Sequence, residues 1–284
     1  VFSQYINDVD IDSLMKFQGI KTGELELLLG VPPCQGFSTH RINDAGKDDP
    51  RNSLLIRYFD FVKKFRPTVF LVENVPDLLW PRHADYMSKF TSLTYDHGYQ
   101  IIGGKPFILN ARDFGVPQNR KRAFILAVRS DIDTDSFIWP PEPTHTKSGK
   151  QVWVTSSTVF ERPVESILSE FQERLVEKFN MSSVQSERCV GELRWGSPIA
   201  QSDPCNVHMV HSTELTTLFK NTPLLGDRTE SGRQLACHKN YSGHLDVYGR
   251  IYPHIPSNTI TTGCNNPSKG RFVHPWLHHG ISLR

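Results

Sequence analysis

No charge of one sign dominates this chain. Its 284 residues carry 32 Lys+Arg against 30 Asp+Glu, so composition excludes the strongly basic and strongly acidic classes and does not by itself announce a nucleic-acid binder. Cysteine is scarce and scattered: Cys34, Cys189, Cys205, Cys237 and Cys264 form an odd set without close spacing, which argues against a disulfide framework and suits a reducing compartment. No apolar run approaches a membrane span, and Val1-Phe2-Ser3 opens no secretory leader, so an intracellular, cytoplasmic protein with no membrane partner is expected. Early glycine clusters are missing too, and with them the turn through which a backbone approaches a cofactor closely. What remains is ample for folding: 38% hydrophobic residues allow one large or two modest domains.

The most informative stretch is Pro32-Pro33-Cys34-Gln35-Gly36-Phe37-Ser38. It follows an apolar run, Leu25 to Val31, too short for a helix and read as a buried strand. A cysteine on a proline-stiffened loop beyond a strand end is placed like a nucleophile, although most lone cysteines are small buried hydrophobes. From Leu54 to Phe65 the apolar positions recur at three and four, predicting a helix that stops at Pro67. The β-branched run Thr68 to Val72 predicts a strand with Glu73-Asn74 at its tip, where a buried carboxylate is costly unless used or paired. Further strands are expected at 99–102, at 105–109 and, most clearly, at 122–128, the last preceded by Gln118-Asn119-Arg120-Lys121-Arg122. The alternation is that of an α/β, Rossmann-like doubly wound sheet, and cysteine, glutamate and arginine would converge at one sheet edge, where such folds place their ligands.

These motifs carry a resemblance. Pro33-Cys34-Gln35, Glu73-Asn74-Val75, Gln118-x-Arg120-x-Arg122 and the later Arg250, Pro256 and Thr259-Ile260-Thr261-Thr262 stand in the order of the DNA (cytosine-5)-methyltransferases, with Asp49-Pro50-Arg51-Asn52-Ser53-Leu54, Asn110 to Pro117 and Lys269 to Pro275 in between and after. The resemblance implies methyl transfer from S-adenosylmethionine to C5 of a cytosine flipped out of double-stranded DNA. Cys34 would be the covalent nucleophile at C6. Glu73 would act at N3, for which general acid chemistry needs a raised pKa, with Arg122 and secondarily Arg120 at O2 and a phosphate. Asn74 would brace the Cys34 loop, with Pro32, Gln35, Ser38, Gln118, Arg250 and Thr261 in supporting roles. Asp10, Ile11 and Pro33 would contact the cofactor, while an N-cap role for Asp10 is equally compatible with the local sequence. The glycine-rich cofactor turn and the end of the last motif are missing from the match, so the methyltransferase fold is expected to be N-terminally incomplete.

The resemblance divides the chain into a catalytic domain at 1–145, a smaller loop-rich target-recognition domain at 146–248 and a return to the catalytic domain at 249–284. The proline-rich Trp139 to His145 supports the first boundary, a helix is expected at 164–179, and a strand is expected at Thr259 to Thr262. The stretch from Arg250 to Arg284 holds four basic residues, Arg250, Lys269, Arg271 and Arg284, and no acidic ones, which makes it a candidate DNA-facing patch. Cys205-x-x-His208-x-x-His211 resembles half a zinc site with no matching second half, and no metal is expected. Expected partners are double-stranded DNA and either a cognate restriction endonuclease or a complementary chain carrying the missing motifs. The protein would be a monomer associated with a bacterial nucleoid. Competing functions are a catalytically inactive DNA-binding remnant, one part of a split methyltransferase, and a tRNA cytosine-5 methyltransferase, the last disfavoured because no Cys-Phe-Thr tripeptide is present.

Overall fold

The apolar run ahead of Pro32 forms strand β1 (Leu27–Gly30), which pairs in parallel with β2 (Val69–Asn74) through the intervening helix α2 (Ser53–Phe65). The structure, a computed structural model, describes residues 4–32, 53–135, 137–200, 202–231 and 246–283. These fall into two compact units, Val1–Asn110 with Lys121–Glu142, and Ala111–Arg120 with Pro143–Arg284.

In the first unit the three-and-four spacing of Leu55, Tyr58, Phe59 and Val62 puts all four on one buried face of α2. That face packs on Phe70 and Val72 of β2, on Phe90 of α3 (Ala84–Asp96) and on Tyr99 of β3 (Tyr99–Ile101). The rings meet edge to face, with Phe59 5.8 Å from Phe90 and Phe70 5.1 Å from Tyr99, the arrangement their quadrupoles favour. Helix α2 stops as its spacing predicts: Arg66 turns left-handed at φ 45 and Pro67 cannot continue the helix. Helix α1 (Ile11–Gln18) precedes β1 and buries Ile11 and Met15 against Phe65.

Strand order is β1-β2-β5-β3, where β5 is Lys121–Arg129, and β4 (Phe107–Asn110) also pairs with β5. Because β5 is antiparallel to β2, β3 and β4, the sheet is mixed: β1, β2 and β3 run one way and β5 is inserted against them. The α/β class follows the expectation, and the inserted antiparallel strand is what sequence periodicity did not reveal.

The end of β1 is tightly seated. The Tyr58 hydroxyl donates to the Leu28 carbonyl at 3.0 Å, and a Cβ added to Gly30 would lie 2.2 Å from the Tyr58 ring. Gly30→Ala is therefore expected to displace a buried ring and cost about 1–3 kcal/mol, as overpacking does. Thermal unfolding of the variant checks this, and an unchanged midpoint would show that the strand end yields freely.

The second unit contains α4 (Glu165–Phe179), α5 (Ser183–Gly191) and α6 (Thr213–Asn221). Phe171 and Leu175 of α4 pack on Leu224 and Leu225, while Leu218 and Phe219 of α6 pack on Val273. Only α4 is expected from periodicity. The two shorter helices announce themselves by caps instead: Ser182 and Gln185 form a reciprocal capping box, and Ser212 accepts from the Leu215 amide. Two expectations are corrected here. Residues 259–262 form no regular strand. They belong to a segment held mainly by side chains and by one isolated bridge, Gln118 with Ser257. Nor do Arg250 and Arg271 belong to a DNA-facing patch, because they are 2% and 8% exposed and their guanidinium groups are spent on internal carbonyl oxygens.

Candidate active site

At the tip of β2 the alternation of a strand sends Glu73 and Asn74 to opposite faces. Register sets Glu73 opposite Phe124 and Asn74 opposite Ala123 on β5, so Arg122 comes one residue beyond. Arg122 Nε meets Glu73 Oε1 at 2.9 Å, with both side chains about four-fifths buried, and its Nη1 donates to the Lys121 carbonyl at 2.7 Å. A carboxylate and a guanidinium of neighbouring strands thus meet at a strand end as a charge-assisted hydrogen bond.

Asn74 is 2% exposed. Its Nδ2 donates to the Pro32 carbonyl at 3.1 Å and its Oδ1 accepts from the Val75 amide at 2.8 Å, so the segment leaving β1 is tied to the end of β2 immediately before Pro33. Cys34, Pro33, Gln35 and Ser38 lie outside the described residues.

The N-terminal side of this unit holds a cavity of about 1240 Å³, lined among others by Asp8, Asp10, Phe17, Val31, Pro32 and Tyr58. Asp10 caps α1: Oδ1 accepts from the Asp12 amide at 3.3 Å and Oδ2 from the Ser13 hydroxyl at 2.6 Å. The Ser13 hydroxyl and the backbone amides hold its carboxyl below the usual range. Ile11 turns its side chain into the core with Met15 and Phe65 and does not line the cavity. Tyr58, also at the wall, has its phenol pushed up by burial and stays a donor. Sequence reasoning placed Tyr58 in the core without a function, yet a tyrosine on an otherwise aliphatic and phenylalanine face signals a hydroxyl in need of a partner.

The remaining residues lie in the second unit. Gln118 Oε1 accepts from the Ile260 amide at 3.2 Å, Arg120 Nη1 donates to the Ile260 carbonyl at 3.3 Å, and Thr259 Oγ1 donates to the Asn119 carbonyl at 2.9 Å. The Gln-x-Arg segment and the Thr-Ile-Thr segment are therefore clasped together. Half-buried Thr261 accepts from the Cys264 amide at 3.1 Å. Ser257, whose amide and carbonyl bond to Pro117 and Asn119, completes the clasp and was not singled out from sequence.

A family model for C-5 cytosine-specific DNA methylases matches residues 2–268. The chain belongs to this family. As a C-5 cytosine-specific DNA methylase family member it is 28% identical over 264 residues to the Type II methyltransferase M1.BsuMI of Bacillus subtilis, covering 92% of this chain and 51% of that protein. It is 36% identical over 146 residues to the Type II methyltransferase M.AgeI of Thalassovita gelatinovora, covering 51% of this chain and 32% of the relative. The chain thus spans about half or less of the length of these curated relatives. Among solved structures it resembles a DNA modification methyltransferase encoded within an E. coli prophage, with a TM-score of 0.56 at 16% identity over 98% of this chain and 72% of that one, a likeness of fold. Among the described residues no helix is long and apolar enough to cross a membrane, and no group of three or more His, Cys, Asp or Glu side chains is arranged to hold a metal ion.

Proposed function

We propose that this chain carries the reaction centre of a DNA cytosine-5 methyltransferase that modifies a cytosine flipped out of double-stranded DNA. The observation that carries the reading is the Glu73–Arg122 pair at 2.9 Å, standing one residue from the asparagine that ties down the segment leading into Cys34. Cytosine C5 is a poor nucleophile until a thiolate adds at C6, and Cys34 supplies that thiolate. As the C6–S bond forms, negative charge spreads toward N3 and O2. Glu73 hydrogen-bonds or protonates N3, and Arg122 orients the carboxyl and stabilises O2, with Arg120 as the second candidate. Once C5 carries the methyl group, its proton would pass to water, the C5–H pair would restore the C5–C6 double bond, and the C6–S pair would return to Cys34 as thiolate.

The cavity fits a nucleoside-bearing cofactor in size and make-up, with a carboxylate rim at Asp10 and apolar walls at Phe17 and Tyr58. Asp10, Ile11 and Pro33 would hold S-adenosylmethionine, which supplies an electrophilic methyl group. Pro32, Gln35, Ser38 and Asn74 would shape the nucleophile loop, and Gln118, Arg250 and Thr261 the support for a base-reading region within 146–248. A Type II assignment would add a restriction endonuclease of the same specificity as partner.

The test is trapping. The 284-residue chain, labelled S-adenosylmethionine and duplex DNA containing 5-fluorocytosine are expected to give a labelled, denaturation-resistant adduct that disappears in Cys34→Ala. Absence of the adduct across varied DNA sequences, also with the remainder of a relative's chain supplied, would replace this reading with a DNA-binding remnant.

A further inference from the structure

The second unit uses imidazole nitrogens as hydrogen-bond acceptors for groups that can only donate. The Gly280 amide donates to His211 Nε2 at 3.0 Å. The amides of Trp276 and Leu277 donate to His274 Nδ1 at 3.3 and 3.0 Å. Arg250 Nη2, which has no acceptor character, points at His278 Nδ1 from 3.3 Å. Each of these nitrogens must be unprotonated, so neutral His274 and His278 within residues 274–283, and neutral His211 facing them, are written into the geometry. A fourth contact agrees: the rings of His208 and His279 stack face to face, with centroids 3.8 Å apart and planes 5° from parallel, an arrangement two imidazolium ions would oppose. The same segment is otherwise joined to residues 207–211 by one further backbone bond, Leu283 to the Val207 carbonyl.

We propose that residues 274–283 are an acid-released latch: protonation of His211 turns the acceptor of the Gly280 amide into a donor and frees this segment from residues 207–211, while protonation of His274 and His278 undoes the segment's own turn at Trp276 and Leu277 and its imidazole contact with Arg250. The charged and titratable groups around the cluster reinforce the effect. His208 and His279 face His211; His279, Arg250 and His208 face His274; Arg250, Lys220 and His279 face His278. All of them are cationic or become so, and the carboxylate that acts in this corner, Glu170, acts on Arg250. Burial comes first in holding all three imidazoles below their ordinary value, that of His274 at about 3, with the neighbouring histidines and Arg250 adding to it. A depressed histidine contributes stability that is fully present above the ordinary value near pH 6.5 and is lost as pH falls from there toward the folded-state value.

The test is hydrogen exchange at the Trp276, Leu277 and Gly280 amides near pH 7.5 and near pH 5, corrected for intrinsic rates, with the β5 amides as reference. Protection of the three amides is expected to fall at least about tenfold at the lower pH, the factor carried by one pH unit of suppressed protonation, while β5 stays protected. The combined variant His211→Gln, His274→Asn and His278→Asn places non-titrating carbonyl acceptors at the same positions and is expected to keep its protection. If that variant fails to fold, His211→Gln alone is read at Gly280. Unchanged protection in the wild type at low pH, loss of β5 protection in parallel, or equal loss in the amide-bearing variants would each overturn the latch.

Discussion

Arg250→Met is expected to destabilise the second unit by about 3–5 kcal/mol, in the range seen when one member of a buried polar set is deleted. The guanidinium is 2% exposed and donates to four backbone carbonyls: Thr222 at 2.9 Å, His274 at 2.8 Å, Leu277 at 2.7 Å and Phe219 at 2.6 Å. Burial pulls its pKa down to about 10, still far enough above neutrality to keep the charge and every donor in place. Methionine fills much of the stem volume but offers no donor, so four acceptors lose their partner at about 1 kcal/mol or more each. Lysine is expected to recover little, because a compact ammonium cannot span carbonyls contributed by α6, the turn after it and the loop near residue 275 at once. Denaturant unfolding followed by tryptophan fluorescence decides the matter, and a midpoint indistinguishable from wild type would show that these carbonyls find water instead.

Glu73→Gln is expected to slow formation of the 5-fluorocytosine adduct by about 10²–10⁴-fold, the range of a lost general acid, with little change in folding. Glutamine keeps an oxygen for Arg122 Nε and nearly the same volume, so the ion pair becomes a neutral hydrogen bond in a site only about a fifth exposed. On the proposed mechanism, what it cannot do is exchange a proton with N3. Single-turnover adduct rates with matched circular dichroism spectra separate the two effects. A variant that reacts at the wild-type rate would remove Glu73 from the chemistry and leave it as the structural partner of Arg122.

Much of the first unit was legible because its elements are strongly periodic. The 13-residue helix over Ser53–Phe65 needed only the spacing of Leu55, Tyr58, Phe59 and Val62, and the strand ending at Asn74 needed only a β-branched run bounded by prolines. The family motifs then singled out Glu73 and Arg122, which the sheet brings into contact. Their convergence was expected from the motifs, but the antiparallel register that makes it a contact was not readable, since it depends on β5 inserting beside β2, a long-range choice that leaves no local trace. In the second unit legibility failed for the same kind of reason. Beside the supporting role the resemblance implies for Arg250, both Arg250 and Arg271 read as surface charge because composition cannot report carbonyls converging on them from distant segments, and residues 259–262 read as a strand because threonine and isoleucine favour extended backbone whether or not a ladder forms.

Strand β5 is last among the sheet's five strands in sequence and interior in space, flanked by β2 on one side and by β3 and β4 on the other. While the chain emerges from a ribosome, β1 and β2 can pair as soon as α2 has formed, but β2 presents an unpaired edge until residues 121–129 arrive. Synthesis at about 5–20 residues per second keeps that edge open for seconds, long enough for intermolecular pairing of an apolar strand. Yield from cells should therefore depend on translation speed and chaperone supply across residues 75–129, and slow codons placed there should lower it.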